Sequence, residues 1–207
     1  MATAAVTGGV GSGFHLYNLC KRPGGLNWTN VFYGAPLGAP GAIAVAGLLG
    51  IAARRVGRSA SGNGAQARGQ VWRRLDSGRG LGLFTSVGLF SDAAEVWLLH
   101  FRGAFQNPFM YVPVTVPPLA AAALARSAVD PSPAANRLAR ALLTGTAAVG
   151  LAGVGFHAYG ISRNMGGWRN WSQMILQGPP LPAPPSFTGL ALAGLAALRL
   201  LEHDRER

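Results

Sequence analysis

The chain has 207 residues, room for one or two domains, and charged residues make up only 12% of it against 49% apolar residues. That charged share is about half of what an ordinary soluble domain carries, so composition argues against a water-soluble protein and indicates an all-α integral membrane protein. The net charge of +11 does not indicate nucleic-acid binding, because the basic residues fall between apolar segments and form no basic stripe with interleaved aromatic residues.

Six apolar stretches predict about six transmembrane helices. They cover residues 3–20, 36–53, 81–101, 112–126, 138–158 and 185–201. Several are shorter than the roughly 20 residues that a straight span needs, so residues of the flanking loops have to complete them. The first stretch contains the glycine-rich run GGVGSG, but it has no positive n-region and no cleavage site. We therefore expect a retained first membrane helix that depends on neighbouring protein for stability.

The distribution of Lys and Arg predicts the orientation of the chain. Thirteen of these residues fall in one set of connections, which includes the basic loop 54–80 and the C-terminus, and five fall in the opposite set. The positive-inside rule places the richer set in the cytoplasm. We therefore expect cytoplasmic N- and C-termini, three hairpins that point outward, and a location in a bacterial inner (plasma) membrane.

Two segments of the chain nearly repeat one another: GFHLYNLCKRPGG at residues 13–25 and GFHAYGISRNMGG at residues 155–167. The similarity continues through an Asn-Trp pair and a Gly- and Pro-rich turn into the next apolar stretch, which indicates internal duplication. A weaker third copy opens at His100 and lacks the Gly-Gly pair. The copies predict a single transmembrane domain over residues 1–207. Its hairpin repeats cover approximately residues 3–53, 81–126 and 138–201.

Histidines at comparable places in the three copies are the first candidate cofactor-binding residues. They are His15, His100 and His157, and we expect them at similar depth near the outer surface. One interpretation is that their imidazoles ligate haem b or hydrogen-bond a quinone. The other is that each histidine caps its helix or anchors its loop. The residues expected beside a bound cofactor are Tyr17, Tyr159, Arg102 and Arg163.

Two acidic residues, Asp92 and Glu95, lie well inside the third apolar stretch, and their i, i+3 spacing puts them on one helix face. An ionised carboxylate in hydrocarbon costs several kcal/mol, so both must be paired, protonated or beside water. One hypothesis is a proton path or a cation site. The other is a buried pair with an arginine of a neighbouring helix.

Three functions fit the sequence, whereas the motifs of hydrolases, kinases and nucleotide-driven pumps are absent from it. The first is an integral membrane anchor subunit of a respiratory or electron-transfer oxidoreductase complex, with a quinone or haem site at the outer face. The layout is similar to that of the membrane anchors of respiratory dehydrogenases and reductases, which implies larger catalytic or electron-transfer subunits docked outside. The alternatives are a small transporter or channel with intramembrane Asp and Glu, or a purely structural or assembly subunit.

Overall fold

The structure is a computed structural model that describes residues 1–34, 36, 38–60 and 77–205. All regular elements of these residues are helical, which confirms the all-α class. The helices are α1 (Ala2–Cys20), α2 (Trp28–Tyr33), α3 (Gly38–Ala60), α4 (Gly78–Arg102), α5 (Val112–Val129), α6 (Pro133–Arg163), α7 (Trp171–Gln177) and α8 (Pro184–Arg205). Two 3-10 turns, Pro108–Tyr111 and Gly167–Arg169, lie in the connections.

Within the described ranges, four helices are long and apolar enough to cross a membrane: α4, α5 together with the 3-10 turn ahead of it, α6 and α8. This supports a membrane-embedded protein in contact with lipid. α1 and α3 do not meet the same standard, since α1 is rich in glycine and, among the described side chains, the apolar part of α3 covers only Pro40–Ile51. The prediction of six spans is therefore supported for four helices.

The four apolar helices pack as a bundle in which α4 contacts α5, α5 contacts α6, α6 contacts α8 and α8 returns to α4. Large side chains fill its centre, and the fully buried ones include Leu89, Leu124, Leu143, Phe187 and Leu198. α1 and α3 form a hairpin of their own, and α3 lies against α4 and α8. We call the end with the α1–α3, α4–α5 and α6–α8 connections the hairpin-loop end, and the opposite end the terminal end.

Small residues let the helices of the first and last hairpins approach closely. A Cβ atom built on Gly8 of α1 would lie 2.5 Å from the carbonyl oxygen of Pro40 in α3. A Cβ atom on Gly150 of α6 would lie 2.7 Å from the carbonyl oxygen of Pro184 in α8. Only glycine allows main chains this close, and in lipid such packing takes the place of a hydrophobic driving force.

Each long connection at the hairpin-loop end contains two consecutive residues in the left-handed region. The pairs are residues 24–25, 104–105 and 166–167. The first and third pairs are Gly-Gly, for which this conformation is permitted. The middle pair is Ala104 (φ 56°) and Phe105 (φ 47°), for which it costs roughly 1–2 kcal/mol per residue. The ring of Phe105 stacks on the ring of Tyr111, with ring centres 4.5 Å apart, and this contact helps to stabilise the turn.

Several helices extend beyond the predicted boundaries. α3 continues to Ala60 and α4 begins at Gly78, so both ends of the predicted loop 54–80 are helical, and residues 61–76 lie outside the described residues. Ala and Arg are good helix formers, so a helix continues past the point where the apolar pattern stops. α6 begins early because the Ser132 hydroxyl accepts a hydrogen bond from the main-chain N–H of Ala135 at 3.2 Å.

The close approach of α6 and α8 predicts a position-specific effect of a single methyl group. We expect Gly150→Ala to lower the free energy of unfolding by about 1–3 kcal/mol, because the added Cβ would collide with the Thr188 hydroxyl. Gly155→Ala on the same helix is the matched control, since its Cβ would meet nothing within 4 Å. Thermal unfolding of the two purified variants in detergent checks this, and equal effects would contradict the packing.

Candidate functional site at the hairpin-loop end

The three predicted histidines make the same kind of hydrogen bond. Each ring uses Nδ1 to contact a main-chain carbonyl just ahead of the next long helix. The pairs are His15 with Pro36 at 2.6 Å, His100 with Met110 at 2.8 Å, and His157 with Pro180 at 2.9 Å. These bonds join the end of one helix to the start of the next, as the interpretation of loop anchoring requires.

This bond also settles that Nδ1 of each imidazole carries a proton. A carbonyl oxygen only accepts, so Nδ1 must carry the proton, and Nε2 of a neutral ring keeps its lone pair. The arrangement leaves Nε2 available for a ligand. His100 and His157 are near enough for a charge on one to act on the other. Among the residues that the structure describes, however, no three His, Cys, Asp or Glu side chains form a group that could hold a metal ion.

The two intramembrane carboxylates meet the beginnings of two other helices. Asp92 accepts a hydrogen bond from the Ser186 hydroxyl, at 2.5 Å, in the first turn of α8. Glu95 accepts one through Oε2 from the main-chain N–H of Gly38, at 3.1 Å, at the first residue of α3. Helix N-termini carry unpaired N–H groups and a partial positive charge, so they favour a nearby anion.

These contacts replace the arginine partners that the sequence suggested for Asp92 and Glu95. Among the described residues, Arg126 forms an ion pair with Asp130 and Arg140 forms one with Glu202, each at 2.7 Å. Both lie toward the terminal end of the bundle.

Arg102, at the end of α4, contacts the first hairpin at α2. Its Nη2 donates to the carbonyl of Val31 at 2.8 Å, and its guanidinium carbon lies 5.4 Å from the centre of the Phe32 ring. A cation over an aromatic face is attracted by the ring quadrupole. Arg102, Glu95 and His15 therefore contact three main-chain groups in the stretch from Val31 in α2 to Gly38 at the start of α3.

Four aromatic side chains, here called the aromatic cluster, cover this junction. They are Trp28, Phe32, Trp97 and Phe101. Trp97 and Phe101 stack almost parallel, with ring centres 5.2 Å apart and an interplanar angle of 4°. They stay 44% and 43% exposed, so the cluster offers free aromatic surface beside Arg102.

Two polar atoms at this junction are buried and have no hydrogen-bond partner: Glu95 Oε1 and Arg102 Nε. Leaving a buried polar atom unpaired costs about 1–3 kcal/mol and more for a charged group, so each atom favours an additional partner. The two residues are seven apart on α4, an axial rise of about 10.5 Å. We call this pair, together with the adjoining aromatic cluster, the Glu95–Arg102 site.

The remaining predicted site residues lie away from this pair. Tyr17, Tyr159 and Arg163 are exposed at the hairpin-loop end. The Lys21 ammonium lies over the Tyr17 ring, 5.7 Å from the ring centre. The structure thus brings Glu95, Arg102 and His15 into contact with one stretch of main chain, Val31 to Gly38, and the other candidates lie outside this contact.

Sequence reasoning missed Ser186, Trp97 and Phe101. The only available signals were the first-turn position of Ser186 after a Pro-Pro pair and the i, i+4 spacing of the two rings.

Comparison with known proteins identifies no relative. No family model matches the chain, and neither the curated proteins nor the solved structures contain a match. Any functional conclusion must therefore come from the geometry of the chain itself.

The Asp92–Ser186 contact predicts energetic coupling between α4 and α8. We expect Asp92→Ala and Ser186→Ala each to destabilise the protein, and the double variant to lose less than the sum, with a coupling energy of about 1.5–3 kcal/mol. A double-mutant cycle of unfolding free energies in detergent measures this. Asp92→Ala combined with Thr115→Ala is the control, since the Thr115 hydroxyl bonds only carbonyls of its own helix turn. Additive effects for Asp92 and Ser186 would rule the coupling out.

Proposed function

We propose that the chain is an integral membrane anchor subunit of an electron-transfer oxidoreductase complex, and that it binds a quinone at the Glu95–Arg102 site. In this proposal the hairpin-loop end faces the outside of a bacterial inner membrane, where larger catalytic or electron-transfer subunits dock. Both termini are then cytoplasmic. The observation that carries the proposal is the pair of buried, unpartnered polar atoms on one face of α4.

Packing of the first hairpin supports six spans rather than four. α3 runs alongside α4, with Gly38 beside Glu95, and Val45 and Leu49 packed against the bundle core. A helix in contact with a spanning neighbour over this length lies at the same depth in the membrane. α1 is the antiparallel partner of α3 through the close approach at Gly8, which favours a crossing by α1 as well.

Matched contacts also support duplication for the first and last of the three hairpins. Gly8 meets Pro40 as Gly150 meets Pro184, and His15 meets a proline carbonyl four residues before Pro40. The corresponding bond of the last hairpin joins His157 to the carbonyl four residues before Pro184. Equivalent residues thus make equivalent contacts in the two hairpins.

The unpaired atoms have the chemical roles that a quinone needs. The N–H at Arg102 Nε can donate a hydrogen bond to one quinone oxygen. Glu95 Oε1 can accept from the hydroxyl of the reduced form at the opposite side of the ring. The aromatic cluster, which reaches Arg102 through Phe32, offers ring surface on which the quinone can stack. Reduction of the quinone takes two electrons, which in this proposal come from the partner subunit, and two protons. Glu95 delivers one proton when its Oε1 is protonated, and water at the membrane surface delivers the other.

A haem b site fits the same end of the molecule less well. It requires two Nε2 atoms that converge on one iron from opposite sides, with the propionates held by Arg or Tyr. The histidines each bind a different connection, and Tyr17 and Tyr159 are exposed. A quinone needs only the two hydrogen-bonding atoms and a ring surface already described.

A purely structural or assembly role is the second candidate function. One observation favours it: all three histidines and both intramembrane carboxylates take part in hydrogen bonds that hold helices together. The same observation weighs against a transporter, because Asp92 and Glu95 face helix N-termini rather than a pathway.

Quinone binding can be measured through the stacked tryptophan. We expect a short-chain benzoquinone to quench tryptophan fluorescence of the purified protein saturably, since Trp97 lies beside the proposed site. Arg102→Gln should weaken benzoquinone binding about tenfold or more, the equivalent of one lost hydrogen bond to a charged group. Glu95→Gln should leave the affinity for benzoquinone nearly unchanged, because Glu95 Oε1 accepts a hydrogen bond only from the reduced form. Arg163→Gln is the control, because Arg163 is exposed at the same end and makes no contact with the site.

Other outcomes separate the candidate functions. Non-saturable quenching, or equal affinity in all three variants, would overturn the quinone site and leave the structural role. A reducible absorption band of the purified protein that is lost in His157→Ala would indicate haem instead. Solute movement by the purified chain in liposomes would favour a transporter, and co-purification with a large outer-face subunit would support the anchor role.

A further inference from the structure

The middle hairpin (α4 and α5) and the last hairpin (α6 and α8) pack against each other through two equivalent contacts. α5 of the middle hairpin contacts α6 of the last, and α8 of the last contacts α4 of the middle. Each contact joins the second helix of one hairpin to the first helix of the other. Since both hairpins turn at the hairpin-loop end, the two are related by a pseudo-twofold axis along the membrane normal.

One side of α8 is buried in this pairing, and we call it the inter-hairpin face. Leu190 on this face is 7% exposed, and one of its methyl carbons would lie 3.0 Å from a Cβ atom on Gly88 of α4. Phe187, almost one turn earlier on the same side, is 2% exposed. These apolar side chains are therefore covered by protein rather than by lipid.

The corresponding residues of α3 are exposed. The matched prolines of the duplication proposed above align Ile43 with Phe187 and Ala46 with Leu190. Ile43 is 48% exposed, and Ala46 is exposed as well. The first hairpin thus has its own inter-hairpin face, and among the described residues of the chain no element covers it.

α1 supplies the other half of the equivalent contact. Thr3 stands twelve residues before the histidine of its copy, as Gly88 does before the histidine of the middle copy. Thr3 is exposed, and it begins a stripe at helical spacing with Thr7, Val10 and Phe14, which are exposed too. The contact that Gly88 makes between two hairpins therefore has a free counterpart on α1.

The first hairpin is attached to the bundle by a different side of α3. Val45 and Leu49 on that side pack against the bundle core. The residue of α8 that corresponds to Val45 is Gly189, and a Cβ atom there would meet nothing within 4 Å. The attachment of α3 therefore uses a side that α8 leaves free, and it keeps the inter-hairpin face of the first hairpin open.

Lipid alone is a poor cover for the first hairpin. α1 and the described part of α3 do not by themselves meet the standard for a membrane span. α1 packs against α3, and no other described helix makes a comparable contact with it. Thr3 and Thr7 place hydroxyl groups on the free face of α1, and in lipid such groups favour a neighbouring helix to which they can hydrogen-bond. The face therefore favours a helix of a second protein molecule.

We propose that the chain forms a twofold homodimer in which α1 of each copy packs against α3 of the other, as the middle and last hairpins pair within one copy. A second copy presents the same face on a hairpin of the same direction, so both copies insert in one orientation and the contact closes. Ala46 of one copy then lies beside Thr3 of the other. The dimer rests on the proposed duplication and does not depend on the quinone site.

Cross-linking between two differently tagged copies in native membranes tests this contact. With Cys20→Ser in both copies, we expect a short bifunctional thiol reagent to join Thr3→Cys of one copy to Ala46→Cys of the other. The matched control replaces Ala46→Cys by Ala122→Cys, since Ala122 is exposed on α5 and lies outside the proposed contact. Absence of the mixed-tag product, an equal yield from the control, or capture of only a different protein by Ala46→Cys would overturn the dimer.

A bulky side chain at the same position tests the closeness of the contact. We expect Ala46→Phe to weaken dimerisation about tenfold or more, because the ring overfills a helix interface, whereas in a single chain Ala46 is exposed and the ring is accommodated. Energy transfer between copies labelled at the exposed Cys20, in liposomes of increasing lipid content, measures this. Ala122→Phe is the control and should dimerise like the wild type.

The same samples separate this proposal from the quinone site. Equal dilution curves for the wild type and Ala46→Phe would overturn the dimer contact, whatever the quinone result. Saturable quinone quenching that is unchanged in Ala46→Phe, together with loss of energy transfer, would support the dimer as a feature independent of the site. Absence of quinone binding in a wild type that still dimerises would reject the quinone site alone.

Discussion

The hydrocarbon interior of a membrane offers no hydrogen bonds, so every polar group of a chain placed there must find its partner within the protein. This constraint is most severe where a chain turns back, because helix ends leave N–H and C=O groups unpaired. The three hairpins meet it with side chains from neighbouring helices. His15, His100 and His157 donate hydrogen bonds to carbonyls ahead of the returning helices. Asp92 and Glu95 accept hydrogen bonds from groups in the first turns of α8 and α3.

α4 is the element on which these contacts converge. Its Asp92, Glu95 and Arg102 form hydrogen bonds with α8, with α3 and with the end of α2. Its Leu89 also forms part of the bundle core. The first hairpin, whose helices do not by themselves meet the standard for a membrane span, is thereby fixed to the most polar face of a spanning helix. The Glu95–Arg102 site lies on that same face, where α4 supplies more polar atoms than its neighbours use.

Much of this arrangement can be predicted from sequence, because hydrophobic segments and repeated motifs are properties of the chain alone. They predicted the helical class, the apolar cores of the six long helices that the structure describes and the matched positions of the histidines. The partners of Asp92 and Glu95 could not be predicted, since i, i+3 spacing defines a helix face but not the neighbour it meets. The left-handed conformation of Ala104 and Phe105 was equally hidden, because tertiary contacts overrode the preference of both residues.

A structural role for these side chains does not exclude a functional one, since each has more than one polar atom. Glu95 uses Oε2 at the start of α3 and leaves Oε1, Arg102 uses Nη2 on Val31 and leaves Nε, and the histidines use Nδ1 and leave Nε2. In each side chain, the hydrogen bond of the first polar atom also fixes the direction in which the second, unpaired polar atom points. In the proposed function, a ligand of this site meets polar groups that are already oriented, and its binding needs little further loss of side-chain entropy. The hydrogen bonds that the membrane imposes on the hairpins are, on this argument, what prepares the site.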